Sequence, residues 1–168
     1  MIAIQITDLK LFMKLLLTKE TFDSFLLEEA MIKTGQTYYI DGHTNREFYT
    51  KEELEINPSF GQEFSSFSGV RPVCFSLIKG NRTPLSFKFV LHAGEAYVDR
   101  LLQKHQLTAG ETNLKSLLLT IRYDGSRAVC TTGTAYHTFV MDKTVDSLWD
   151  SSLKASFDAL GISFEELT

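Results

Sequence analysis

Cysteine is scarce in this 168-residue chain, which holds two. Cys74 and Cys130 have neither metal-motif spacing nor the look of a disulfide framework. Proline occurs three times and tryptophan once, so little interrupts regular structure. Neither sign of charge dominates. The 17 Lys and Arg face 21 Asp and Glu, a formal net charge of −4 that gives no global attraction to nucleic acid or anionic lipid. No apolar run approaches the roughly 20 residues of a membrane span. The N-terminal stretch is broken by Asp8 and Lys10 with no small-residue cleavage site after it. A reducing cytoplasmic setting without a membrane partner is the expectation. A glycine-rich phosphate loop, a nucleophile elbow, a paired-histidine metal motif and a calcium loop are all missing. No cofactor is expected, and nothing in these absences names an activity.

What is present suits a β-rich globular domain. Apolar residues make up 43% and aromatics 12%, with 13 Phe and 6 Tyr. Burial at this length reaches roughly 70% of the unfolded surface, enough for a core without staples. Ile2, Ile4 and Ile6 alternate as a strand, and Thr7 can cap a helix whose stripe is Leu9, Phe12, Met13 and Leu16. Phe25–Thr34 carries helix-favouring Glu28, Glu29 and Ala30. It reads as a strand because Gly35 and the β-rich Thr37–Ile40 make a hairpin economical. A turn near Thr44-Asn45 then leaves Glu47–Tyr49 as a return strand, with a helical turn at Lys51–Glu55. Residues 57–70 read as a linker. Val73–Lys79 and Leu85–His92 read as strands, and Gly94–His105 as an amphipathic helix.

The two-residue loop Asp124-Gly125 predicts a tight hairpin in which Arg122 stands opposite Arg127 and Leu119 opposite Cys130. Leu117, Leu119, Ile121 and Tyr123 then share the core face with Cys130. Gly133-Thr134 would turn into a last strand, Ala135–Met141. A final helix, about 144–160, is capped by Thr144 or Asp142 and ended by Gly161.

Matching landmarks recur at an offset of about 86 to 90 residues: helix starts at Asp8 and Gly94, turns at Gly35 and Gly125, turns at His43–Asn45 and Gly133-Thr134. The expected architecture is one α+β domain over 1–168. Two strand-helix-strand-strand-strand units, about 2–56 and 85–141, would share a curved antiparallel sheet with helices on one side, followed by the C-terminal helix. This doubled order resembles one domain of the DNA sliding clamps, the ring-shaped processivity factors of polymerases. The likeness covers about residues 2–141 and rests on topology and turn placement, with no residue motif, and a small bacterial protein is a fitting home for it. The resemblance implies helices that face DNA. Here they carry Lys10, Lys14, Arg100 and Lys104 against Glu95 and Asp99, so DNA binding is expected to be weak or absent.

The candidate binding residues fall in three groups. Arg122 and Arg127, side by side, would hold a phosphate or carboxylate. Asp41, His43, Arg46 and Glu47 form the densest polar cluster, at a turn where polar residues are ordinary. Phe60, Phe64 and Phe67, spaced i, i+4, i+7, would align on one face of a short helix. There they either cover the chain's own sheet or anchor a partner or a second copy. His43, His92 and His137 sit at or near strand ends and would need Asp41 or Glu95 to hold zinc. No ligand pair has chelating spacing, so no metal is expected. A non-enzymatic module that binds protein or peptide is the favoured reading. Clamp-like DNA association and metal-assisted hydrolysis are the alternatives.

Overall fold

Apolar alternation sets the sheet. The computed structural model describes residues 1–168, and its strands are β1 (Ala3–Ile6), β2 (Leu26–Lys33), β3 (Thr37–Asp41), β4 (Ser65–Ser66), β5 (Ser86–His92), β6 (Leu114–Tyr123), β7 (Ala128–Tyr136) and β8 (Phe164–Leu167). They form one open antiparallel sheet in the order β3-β2-β5-β6-β7-β1-β8, with the short β4 beside β2. The helices are α1 (Leu9–Leu17), α2 (Lys51–Ile56), α3 (Phe67–Ile78), α4 (Glu95–Lys104), α5 (Ala109–Thr112) and α6 (Thr144–Ala159). The fold is α+β, and no helix is long and apolar enough to cross a membrane.

Register explains why one face is covered. Ile40, Ala30, Phe89, Ile121, Cys130 and Ile4 lie in one row across β3, β2, β5, β6, β7 and β1. All but Ile40 are fully buried. Side chains of a strand alternate faces, so the next row points the other way. That row is Tyr39, Met31, Lys88, Arg122, Val129 and Gln5, and none of them is buried. Phe12 and Leu16 of α1, Phe67 and Cys74 of α3, and Trp149, Leu153 and Phe157 of α6 close the covered face in a single hydrophobic cluster. Polar ties seat α6 on β7: Thr134 Oγ1 and Tyr136 Oη donate to Asp146 at 2.8 and 2.7 Å. The α6 indole donates to the Leu118 carbonyl oxygen at 2.8 Å.

Several expectations hold. Phe25–Thr34 is strand β2, because β3 and β5 pair with its two edges and outweigh helix propensity. The C-terminal helix stands, with Gly161 left-handed at φ +73°. Its N-cap is Lys143, without a side-chain cap, rather than Thr144 or Asp142, although the Asp142 carboxylate accepts the Thr144 N–H at 2.8 Å. The cap of α1 is Asp8 rather than Thr7, its Oδ1 accepting from the Leu11 N–H at 3.1 Å.

Other expectations are corrected. The two segments share a strand-helix-strand-strand order, but neither has the fourth strand. Arg46–Phe48 is a 3₁₀ turn, and β7 runs straight through Gly133 to Tyr136 instead of turning there. Their pairing also differs. β5 and β6 are neighbours, whereas three strands separate β1 from β2. The clamp-like doubled unit is therefore absent as a matched pair. A missed strand, β8, pairs with β1 and gives that strand its second neighbour.

Residues 57–70 are not a linker. Pro58–Gly61 is a 3₁₀ turn capped by Asn57, Ser65-Ser66 pairs with Leu26-Leu27, and Phe67 opens α3. Val73–Lys79 belongs mostly to that helix rather than to a strand. Its β-branched and aromatic residues are outweighed by packing, since Phe67 and Cys74, seven apart, both reach the core. Pro72 lies inside α3, but its missing hydrogen bond falls on the exposed side, next to solvent.

The β6–β7 hairpin is displaced by two residues from the tight-loop register. Arg122 pairs with Val129, and Ile121 with Cys130. The Asp124 carboxylate is the reason. It accepts the backbone N–H groups of Ser126 and Arg127 at 2.9 and 2.8 Å and organises a four-residue turn, with Gly125 at φ +98°. Those N–H groups, the one from Arg127 foremost, bring its pKa down to about 2. A shift of two keeps every side chain on its face, so the core set Leu117, Leu119, Ile121, Tyr123 and Cys130 is as expected.

Candidate functional site

An irregularity in β2 builds the site. Its ladder with β5 shifts between Leu27 and Glu29, which makes Glu28 the extra residue of a β-bulge. A bulge re-aims its side chain. Here the Glu28 Oε2 lies 3.2 Å from Nε2 of His92 at the end of β5. The chain returns over this point through Gly42, where a Cβ would lie 1.8 Å from the Leu27 carbonyl oxygen. Only glycine permits that approach, and the Gly42 N–H donates to the Glu28 carbonyl at 2.8 Å. His43 follows at once and forms an isolated antiparallel bridge with Phe64.

The Phe64 ring is held between two imidazoles. His92 stacks on it with centroids 4.5 Å apart and planes 22° apart, and His43 meets it edge-on at 4.8 Å. Each imidazole has its own carboxylate. Asp41 Oδ1 lies 2.6 Å from His43 Nδ1 and accepts the His43 backbone N–H at 3.0 Å. That backbone bond and then the ring hold the Asp41 carboxyl below its usual 3.8, while the carboxylate raises His43 above 6.5. His43 is half exposed. His92 is not: its side chain is 9% exposed. Its Nδ1 is shielded from solvent and has no hydrogen-bond partner. An unpaired buried polar atom costs about 1–3 kcal/mol, so this one needs an explanation.

A cavity of about 470 Å³ opens beside this stack, lined by Glu28, His43, Phe64 and His92. Leu26, His92 and Leu118 share one row of the sheet, on the face opposite the helical core. That row forms the floor, with Val98 of α4 and Ala109 of α5 on one side. Four carboxylates, Glu28, Glu63, Glu95 and Asp99, face a single ammonium, Lys115. The combination of an apolar floor and few polar groups is that of a ligand pocket.

The expected binding residues are partly gathered here and partly scattered. His43 and Phe64 line the cavity and Asp41 supports His43. Arg46 turns away, its Nη2 donating to the Gly61 carbonyl at 2.6 Å. Phe60 stacks on Tyr49 at 4.5 Å. Phe67 is fully buried against Phe89. The three phenylalanines therefore share no helix face, because the chain between them is a 3₁₀ turn, an extended stretch and a strand end. Arg122 and Arg127 do not meet. Arg122 is exposed on the open sheet face, and Arg127 lies 3.6 Å from Asp124. Arg71 is taken by Asp23, donating two hydrogen bonds of 2.8 and 3.1 Å.

Of the strand-end histidines, His43 and His92 converge on Phe64, while His137 is exposed and lies outside the cavity. No group of three or more His, Cys, Asp or Glu side chains is arranged to hold a metal ion. Both thiols are buried and free. Burial pushes Cys74 up to about 11 and Cys130 further up, so neither is poised as a nucleophile. Sequence reasoning missed Glu28, Glu63, Asp99 and Lys115. Glu28 figured in the sequence only as a helix-favouring residue, and a bulge leaves no local signature.

A family model, Family of unknown function (DUF5721), matches residues 14–165. No curated protein and no solved structure matches the chain.

Proposed function

Because the chain belongs to DUF5721, a family of unknown function, we propose a function from the geometry: a non-enzymatic module that binds a peptide segment of a partner protein, with one side chain seated in the cavity between β2, β5 and α4. The observation that carries this is an apolar-floored cavity whose lining includes the nine-tenths-buried His92, with an Nδ1 that no group in the chain meets. The cost of that bare atom is relieved when a ligand shifts the Phe64–His92 stack and supplies the missing partner. The cytoplasmic setting belongs to the same reading, in keeping with two free thiols.

The two rival readings draw less support. Clamp-like DNA association needs matched units and a basic helical lining, and α4 sets Glu95 and Asp99 beside Arg100 and Lys104. Metal-assisted hydrolysis needs converging ligands, and the Phe64 ring lies between the two imidazoles.

The test is a titration of isotope-labelled protein with capped pentapeptides of the form acetyl-Ala-Ala-X-Ala-Ala-amide, with X run through the common residues. Saturable amide shifts at Glu28, His92, Ala93 and Lys115 with at least one peptide are the expected result. If no peptide shifts these residues up to its solubility limit, the reading fails.

A further inference from the structure

The cavity's polar groups have a common character. With the proton of His92 on Nε2, the ring donates to Glu28 at 3.2 Å and leaves a lone pair on Nδ1, which nothing in the chain meets. Glu28, Glu63, Glu95 and Asp99 add carboxylate oxygens, which also accept and do not donate. Ser116, Lys115 and the His43 imidazole are the exceptions on the lining; Lys115 and His43 are exposed, and Asp41 offsets any charge on His43. A wall of acceptors is satisfied by a group rich in donors and positively charged. The floor beneath is hydrocarbon, contributed by Leu26, Val98, Leu114 and Leu118. A cation on a bare ammonium ion would leave that surface wet, whereas a cation on an aliphatic stem covers it.

We propose that the cavity selects a lysine or arginine side chain of the bound peptide, its stem along the leucine floor and its cationic head among Glu28, Glu63 and Glu95, beside the buried His92 ring. This rests on the peptide-binding reading and specifies the residue that the pocket takes. Lys115 sets the sign of the effect from the other side, because an ammonium on the rim repels the guest and lowers its affinity.

The experiment uses the full chain and five probes: the pentapeptide acetyl-Ala-Ala-X-Ala-Ala-amide with X as Lys, Arg, Leu or Glu, and free 1,5-diaminopentane. Amide shifts at the cavity report occupancy. The lysine or arginine peptide should bind at least about tenfold more tightly than the leucine and glutamate peptides, a difference of about 1.4 kcal/mol. Affinity should fall as salt rises. Glu63 and Glu95 are exposed, so the double variant Glu63→Gln, Glu95→Gln should fold. It should weaken the cationic peptides about tenfold and leave any leucine-peptide binding unmoved. Lys115→Ala should tighten the cationic peptides a few-fold, an effect that a merely structural lysine would not produce.

Tighter binding of the leucine or glutamate peptide at these same residues would overturn the cation preference and leave the peptide pocket standing. Silence from every peptide, with the diamine bound and weakened by the double variant, would overturn the peptide reading and keep the cation preference. Silence from all five probes would overturn both.

Discussion

Helix α6 and the excursion from His43 to Glu63 are of similar length and differ in every structural respect. Helix α6 buries Val145, Trp149, Leu153 and Phe157 against the sheet. The excursion buries none of its residues. It is held by the stack of Tyr49 on Phe60, the Arg46–Gly61 hydrogen bond and the capping box of Thr50 and Glu53 on α2. It leaves Phe48 and Ile56 more than four-fifths exposed. Stability therefore resides in the helix and the covered sheet face. The excursion brings His43 and Phe64 to the cavity rim at little energetic benefit to the fold. The lesson is that one wall of the candidate site, with His43 and Glu63, comes from the weakly held part of the molecule, while its floor and the His92–Glu28 pair stand on the sheet, the two joined through Gly42 and the Glu28 bulge.

The sharpest way to break this contrast is Trp149→Ala. The indole is 1% exposed and donates to the Leu118 carbonyl, so the loss should be about 3–5 kcal/mol. Urea denaturation measures it, and a loss under about 1 kcal/mol would mean that α6 is not the stabilising element. Next comes Gly42→Ala, at the joint. The added Cβ meets backbone 1.8 Å away, so β2 or the His43 strand must shift, at about 1–3 kcal/mol. The amide signals of Glu28 and His92 should move with it. A variant with wild-type stability and unmoved signals would show that the close approach does not matter.

Within the excursion the expected effects are smaller. Phe60→Ala removes one stacked pair and should cost about 0.5–1.5 kcal/mol. Ile56→Ser should stay within about 0.5 kcal/mol, because the side chain is 85% exposed. A larger loss would reveal a partner or a second copy covering that residue.

The smallest effect is electrostatic. His43 should titrate above 6.5, and Asp41→Asn should bring it back down, as followed by the imidazole proton shifts. The sign follows from a folded-state value raised above the unfolded one. The contribution to stability is complete below 6.5 and is lost as pH rises through the folded value. For Asp41 the direction is opposite: its contribution is present above 3.8 and is lost as pH falls through its lowered value. Both groups are open to solvent, so the pH dependence of the melting curve should be slight.

The sequence by itself determined the α+β class, most of the strands, and the core set on β6 and β7. These follow from period-two alternation and from turn residues a few positions apart, which act locally. It also determined α4 and α6, whose apolar stripes repeat at helical spacing. Only the tertiary structure decided the rest. The Val73–Lys79 segment became helix because Phe67 and Cys74 find the core, a gain that local propensity does not contain. The hairpin register moved by two because one carboxylate met two N–H groups. The candidate site was legible only in fragments. His43, His92, Asp41, Glu95 and Phe64 stood out as polar or aromatic residues near turns and strand ends, but their meeting, and the part of Glu28 in it, joins positions far apart in the chain. Nothing local encodes that meeting. It depends on a bulge in one strand and a glycine over its backbone, two features whose consequence appears once the sheet has formed.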